Sequence, residues 1–87
     1  MTPVDYLNRM AVQGLLADAD SVLALTDFET VRGNREIVED AIANAQKNYI
    51  DLVRRSRPLM LADADETRFH NAMDRILARI RFFGKAV

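Results

Sequence analysis

The chain has 87 residues, of which 49% are hydrophobic and 29% charged, and its formal net charge is −1. This composition is typical of one globular domain, here residues 1–87, and excludes both a disordered chain and a basic protein that coats nucleic acid. No residue is cysteine, which excludes disulfides, thiolate metal sites and cysteine nucleophiles.

The beginning of the chain lacks the basic and apolar regions of a signal peptide. No apolar run approaches the ~20 residues of a membrane span. The lack of cysteine also suits a reducing compartment. We therefore expect a cytoplasmic protein that makes no membrane contact.

Charge is divided unevenly along the chain. The first 51 residues hold nine acids and four bases, a formal net of −5, whereas residues 52–87 hold four acids and eight bases, a net of +4. Such an asymmetry indicates either a partner surface or charge-complementary self-association.

The first helix is predicted over residues 3–25. Thr2 supplies an N-cap hydroxyl, Pro3 suits the first helical position, and Asp5 is an acid at the third. Gly14 weakens the helix by about 1 kcal/mol relative to alanine, or marks a close helix crossing. In an alternative with four helices, the first helix stops near residue 16 and Asp18 caps a new one. Apolar residues recur with a helical period at Val4, Leu7, Ala11, Leu15, Ala19, Val22 and Leu23.

A second helix is predicted over residues 34–56. Thr26 and Glu29 fit a capping box, which predicts a short helical turn at 27–32 before Gly33 and Asn34 interrupt it. A continuous helix over 27–56 is the alternative. Its apolar seam consists of Phe28, Val31, Val38, Ile42, Ala45, Tyr49 and Leu52.

The third helix is predicted over residues 64–83. Pro58 ends the second helix, the apolar connector 59–61 packs near the core, and Asp63 caps the third helix with Glu66 at its third position. Gly84 is expected just beyond the C-terminus. Because the connection between the second and third helices is short, we expect these two helices to be antiparallel neighbours. The predicted fold class is an all-α, antiparallel three-helix bundle. The apolar stripe of the third helix is Phe69, Met73, Ile76, Ile80 and Phe83.

No pattern predicts catalysis, a cofactor or a metal. His70 is the only histidine, and Glu66 one turn earlier is its expected partner. Asp18 and Asp20 resemble cation ligands, but residues two apart on a helix point to different faces. We therefore expect a protein that is not an enzyme.

Arginines are the best candidates for a binding surface. Arg68, Arg75 and Arg79 share one face of the third helix at i, i+7 and i+11, and an exposed aromatic lies on the same side. The end of the second helix extends this basic surface. A basic face that is merely solvated is the alternative explanation. The candidate partner-binding residues are Arg54, Arg55, Arg68, Arg75, Arg79 and Phe82.

The sequence therefore predicts a non-catalytic protein–protein interaction module: an adaptor, a chaperone-like protein or a regulator. We expect it to self-associate as a homodimer, because a bundle of this size has a marginal core. The alternative is nucleic-acid binding through the arginine face of the third helix. The acidic first half opposes that alternative, so we expect only weak, salt-sensitive attraction to duplex DNA or RNA.

Overall fold

The computed structural model describes residues 2–27 and 33–86, the last two of these by their backbone alone. It contains three helices, α1 (Pro3–Leu25), α2 (Arg35–Ser56) and α3 (Asp63–Ala86), and each helix packs against both others. This is the predicted all-α three-helix bundle, with extents of 51 × 18 × 18 Å. Residues 28–32 of the predicted short turn lie outside the described part of the chain.

Helix α1 is continuous. The Thr2 hydroxyl accepts a hydrogen bond from the Asp5 backbone N–H at 3.1 Å, and the Asp5 carboxylate accepts one from the Thr2 N–H at 3.3 Å, which forms a capping box. No break occurs at Asp18, so the alternative with four helices is wrong. Leu15 and Ala19 are both buried on one face, and this burial on either side of Asp18 favours an uninterrupted helix.

Helix α2 begins directly after Gly33 and Asn34, the two residues predicted to interrupt the helical pattern. Asn34 is extended and its side chain accepts a hydrogen bond from the Ile37 N–H at 3.2 Å, so it is the N-cap. A continuous helix over 27–56 is therefore wrong. The helix ends at Ser56, two residues before Pro58.

Helix α3 is longer than predicted at both ends. The Ala62 carbonyl accepts a hydrogen bond from the Glu66 N–H at 2.8 Å, which makes Asp63 the first helical residue and not the cap. Gly84 lies inside the helix without a positive φ, so its predicted role beyond the C-terminus is wrong. Glycine permits the left-handed conformation but does not require it.

The core forms where the three helices meet. The predicted stripe of α3 is buried throughout, and the described part of the predicted α2 seam is buried except for Tyr49, which is half-buried. In α1 the prediction is only partly correct, because Val4, Leu7 and Ala11 are exposed. The buried apolar residues are Val12, Leu15, Leu16, Ala19, Val38, Ile42, Ala45, Leu52, Phe69, Ala72, Met73, Ile76, Ile80 and Phe83.

The connector between α2 and α3 crosses the N-terminal half of α1. The Asn8 side chain donates a hydrogen bond to the Met60 carbonyl at 3.0 Å and accepts one from the Met60 N–H at 3.1 Å. Leu59 and Leu61 pack against the core as expected, whereas the Met60 side chain is exposed.

Candidate functional site

Two aspartates of α1 bind arginines on opposite sides of the helix. Asp18 accepts a hydrogen bond from Arg55 of α2 at 2.8 Å, and Asp20 accepts one from Arg68 of α3. The two acids diverge as their spacing predicts, so they tie α1 to both neighbours and do not form a cation site. The hydrogen bond that Arg55 donates to Asp18 raises the pKa of Arg55 above its ordinary value, and a carboxylate oxygen of Asp51, 3.6 Å from the guanidinium, adds to the attraction.

A third arginine caps the C-terminus of α1. The Arg79 guanidinium donates hydrogen bonds to the Leu23 carbonyl at 2.9 Å and to the Thr26 hydroxyl at 3.2 Å. Thr26 is buried, and its hydroxyl donates to the same carbonyl at 2.6 Å. The helix dipole favours a positive charge at a helix C-terminus. Because α1 has no basic residue in its own last turn, Arg79 of α3 supplies this charge.

The predicted binding residues fall into separate groups. Arg68 and Arg75 line an open groove of about 610 Å³ between α1 and α3. Arg55 lies in the groove between α1 and α2, on the other side of α1. Arg54 lines a third groove beside Ile50, at the C-terminal end of α2. The arginines at the end of α2 therefore do not extend the arginine face of α3.

Arg75 and Phe82 are the members of the α3 face that stay available to a partner. Arg75 makes no ion pair or hydrogen bond with the described residues. Phe82 is 61% exposed and packs edge-to-face on Phe83, with the ring centres 5.1 Å apart. Of the other predicted arginines, Arg55, Arg68 and Arg79 already have partners within the chain.

The outward face of α1 is a surface that the sequence analysis missed. Leu7 is 65% exposed and Met10 is 53% exposed, on a helix whose inner face is already buried. We call this surface the α1 outer stripe; its residues follow one another at intervals of three and four, the spacing of a helix–helix seam. The α1 outer stripe consists of Leu7, Met10, Gly14, Ala17, Ser21 and Ala24.

The α1 outer stripe has no charged member, and its flanks add apolar surface. Val4, Tyr6 and Leu25 are exposed beside it. The outward faces of α2 and α3 differ, because exposed acids and bases recur along both. The spacing of the stripe is present in the sequence, but the apolar period predicted for α1 mixes Leu7 of this face with residues of the core face.

Other chemical features are sparse in the described residues. His70 Nε2 lies 3.6 Å from Glu66 Oε1, as the i, i+4 spacing predicts. Within residues 2–27 and 33–86, no three acidic or histidine side chains cluster as metal ligands would. None of the three helices, over the same residues, has the length and hydropathy needed to cross a bilayer.

Comparison of the chain with protein-family models, curated proteins and solved structures finds no match.

Proposed function

We propose that this protein is a non-catalytic protein–protein interaction module of the cytoplasm that associates with itself. The observation that carries the proposal is the α1 outer stripe, an uncharged helix face that runs from Leu7 to Ala24. Contiguous exposed apolar surface on a small protein typically marks an interaction site. A scattered set of exposed side chains would not support the same conclusion.

The size of the domain also favours association. A chain of 87 residues buries a modest fraction of its surface, so a second subunit that covers apolar area adds substantially to stability. Removing apolar surface from water contributes about 25 cal/mol per Å². Leu7 and Met10 are the large side chains of the stripe and so have most to contribute.

Nucleic-acid binding is the second candidate, and the exposed Arg75 and Phe82 favour it. Against it, a phosphate approaching Arg68 meets the carboxylate of Asp20, and one approaching Arg55 meets Asp18. Each contact would have to displace an internal partner. We therefore rank this function below self-association and expect only weak, salt-sensitive binding.

Light scattering coupled to size exclusion tests self-association. We expect the mass of a dimer of the 9.9 kDa chain at micromolar concentration. Met10→Glu should give a monomer, because it places a charge in the stripe. The matched control is Ile50→Glu, which changes an isoleucine of α2 that is also exposed (58%) and should leave the dimer intact. A wild-type monomer at these concentrations would contradict the proposal.

A further inference from the structure

We infer that the α1 outer stripe binds the same stripe of a second copy, with the two α1 helices antiparallel and the two-fold axis between Gly14 and Ala17. This inference rests on the proposed self-association and adds the surface and its orientation. Its support comes from three features of α1: the order of side-chain sizes, the surroundings of Gly14 and the placement of charge.

Side-chain size divides the α1 outer stripe into two halves. The large members, Leu7 and Met10, lie toward the N-terminus, and every member from Gly14 onward is small. In a parallel pair, large residues would meet large ones at one end and small would meet small at the other. The helix axes would then diverge and leave gaps, which close-packed interfaces avoid.

An antiparallel pair matches each large residue with a small one. With the axis between Gly14 and Ala17, the contacting layers pair Leu7 with the partner's Ala24 and Met10 with the partner's Ser21. Gly14 meets the partner's Ala17 at the centre. The layers on the two sides of the axis then hold equal volumes by symmetry, so the helix axes do not splay toward either end of the roughly 26 Å between Leu7 and Ala24. The smaller central layer lets the two backbones approach most closely at the axis. Val4 and Leu25, which flank the stripe, meet across the same two-fold axis.

Gly14 has no packing role within one copy of the chain. A Cβ built at this position finds no atom within 4 Å among the described residues outside its own helical surroundings. Glycine in a helix costs about 1 kcal/mol relative to alanine, and nothing in the single bundle requires it. Where two helices cross closely, a missing side chain lets the backbones approach, and Gly14 lies at the proposed crossing.

Charge favours the same orientation. A parallel pair would bring Asp18 and Asp20 of both copies to one level, together with the negative ends of both helix dipoles. An antiparallel pair separates them and turns each acidic end toward the partner's N-terminal half. Arg9 lies there, on the same side of the helix as Asp20, without an ion pair in the described residues. Asp20 is 49% exposed despite its contact with Arg68, so it has room for a second base.

Cysteine cross-linking tests the orientation cleanly, because the chain has no cysteine. Three variants are compared under mild oxidation: Met10→Cys, Ser21→Cys and the double variant. In the antiparallel pair, residue 10 faces residue 21 of the partner. The two copies of residue 10 are about 16 Å apart along the helix axis, and so are the two copies of residue 21. A disulfide needs Cα atoms within about 7 Å. The double variant should therefore form covalent dimers, and each single variant should not exceed Ala43→Cys, an exposed control on α2.

The outcomes separate this inference from the proposed function. Cross-linking of the single variants as fast as the double variant would indicate a parallel pair and overturn the inference, while self-association stands. A dimer mass under reducing conditions, with no variant cross-linking above the control, would place the interface elsewhere and also overturn it. A monomer mass would overturn both the inference and the proposed function.

Discussion

At the scale of single residues, arginine acts in this protein first as an internal connector. Arg79 joins α3 to the last turn of α1 through two hydrogen bonds, to Leu23 and Thr26. The partners lie 56 and 53 residues away in the sequence. Spacing within α3 predicts which residues share a face with Arg79. It carries no information about contacts with residues so distant in the sequence, so the partners of Arg79 could not be predicted.

Replacing Arg79 tests the capping role. We expect Arg79→Ala to lower the free energy of unfolding by about 1 kcal/mol, because a charged donor is lost and a helix C-terminus loses its cation. Arg81→Ala is the matched control, since Arg81 is exposed on the same helix and makes no contact of this kind in the described chain. Urea denaturation at equal protein concentration compares the two. Equal midpoints for both variants would show that the cap contributes nothing to stability.

At the scale of helices, the sequence predicts the buried face correctly where a helix has only one apolar face. Helices α2 and α3 each have one apolar stripe, so the period alone gave the correct register, and Met73 and Ile76 are buried as predicted. Helix α1 has two such faces, the core face and the α1 outer stripe. Both faces repeat with the helical period, which is why the period predicts the exposed Leu7 on the same face as the buried Leu15.

The register of α3 can be tested in solution. Ile76 is fully buried, so Ile76→Ala should lower the free energy of unfolding by about 2–5 kcal/mol through lost burial and the resulting cavity. Ile50→Ala makes the same chemical change at an exposed position of α2 and should cost much less. Chemical denaturation of both variants provides the comparison. If the two losses are similar, Ile76 does not lie in the core.

At the scale of the whole molecule, ion pairs between helices explain part of the uneven charge along the chain. Asp18 and Asp20 belong to the acidic half, and Arg55 and Arg68 belong to the basic half, yet they meet across helix boundaries. These contacts are exposed and contribute little stability individually. They lie on the two sides of α1 and connect it to α2 on one side and to α3 on the other.

The bundle covers α1 unevenly along its length. The first buried residue of the helix is Val12, and the turns before it are fastened to the rest of the described chain by the paired hydrogen bonds between Asn8 and Met60. Helical turns with so little tertiary support open locally at small free-energy cost.

Deuterium uptake at these turns should therefore report on assembly without any label or substitution. Backbone amides of residues 7–11 are expected to exchange rapidly in dilute protein and slowly at concentrations above the dissociation constant, whereas amides in the middle of α3 stay protected at both. Mass spectrometry of peptides from the two regions measures this difference. Uptake at residues 7–11 that does not change with concentration would contradict it. In the expected case, the weakly supported end of α1 becomes ordered only when the protein is concentrated enough to associate.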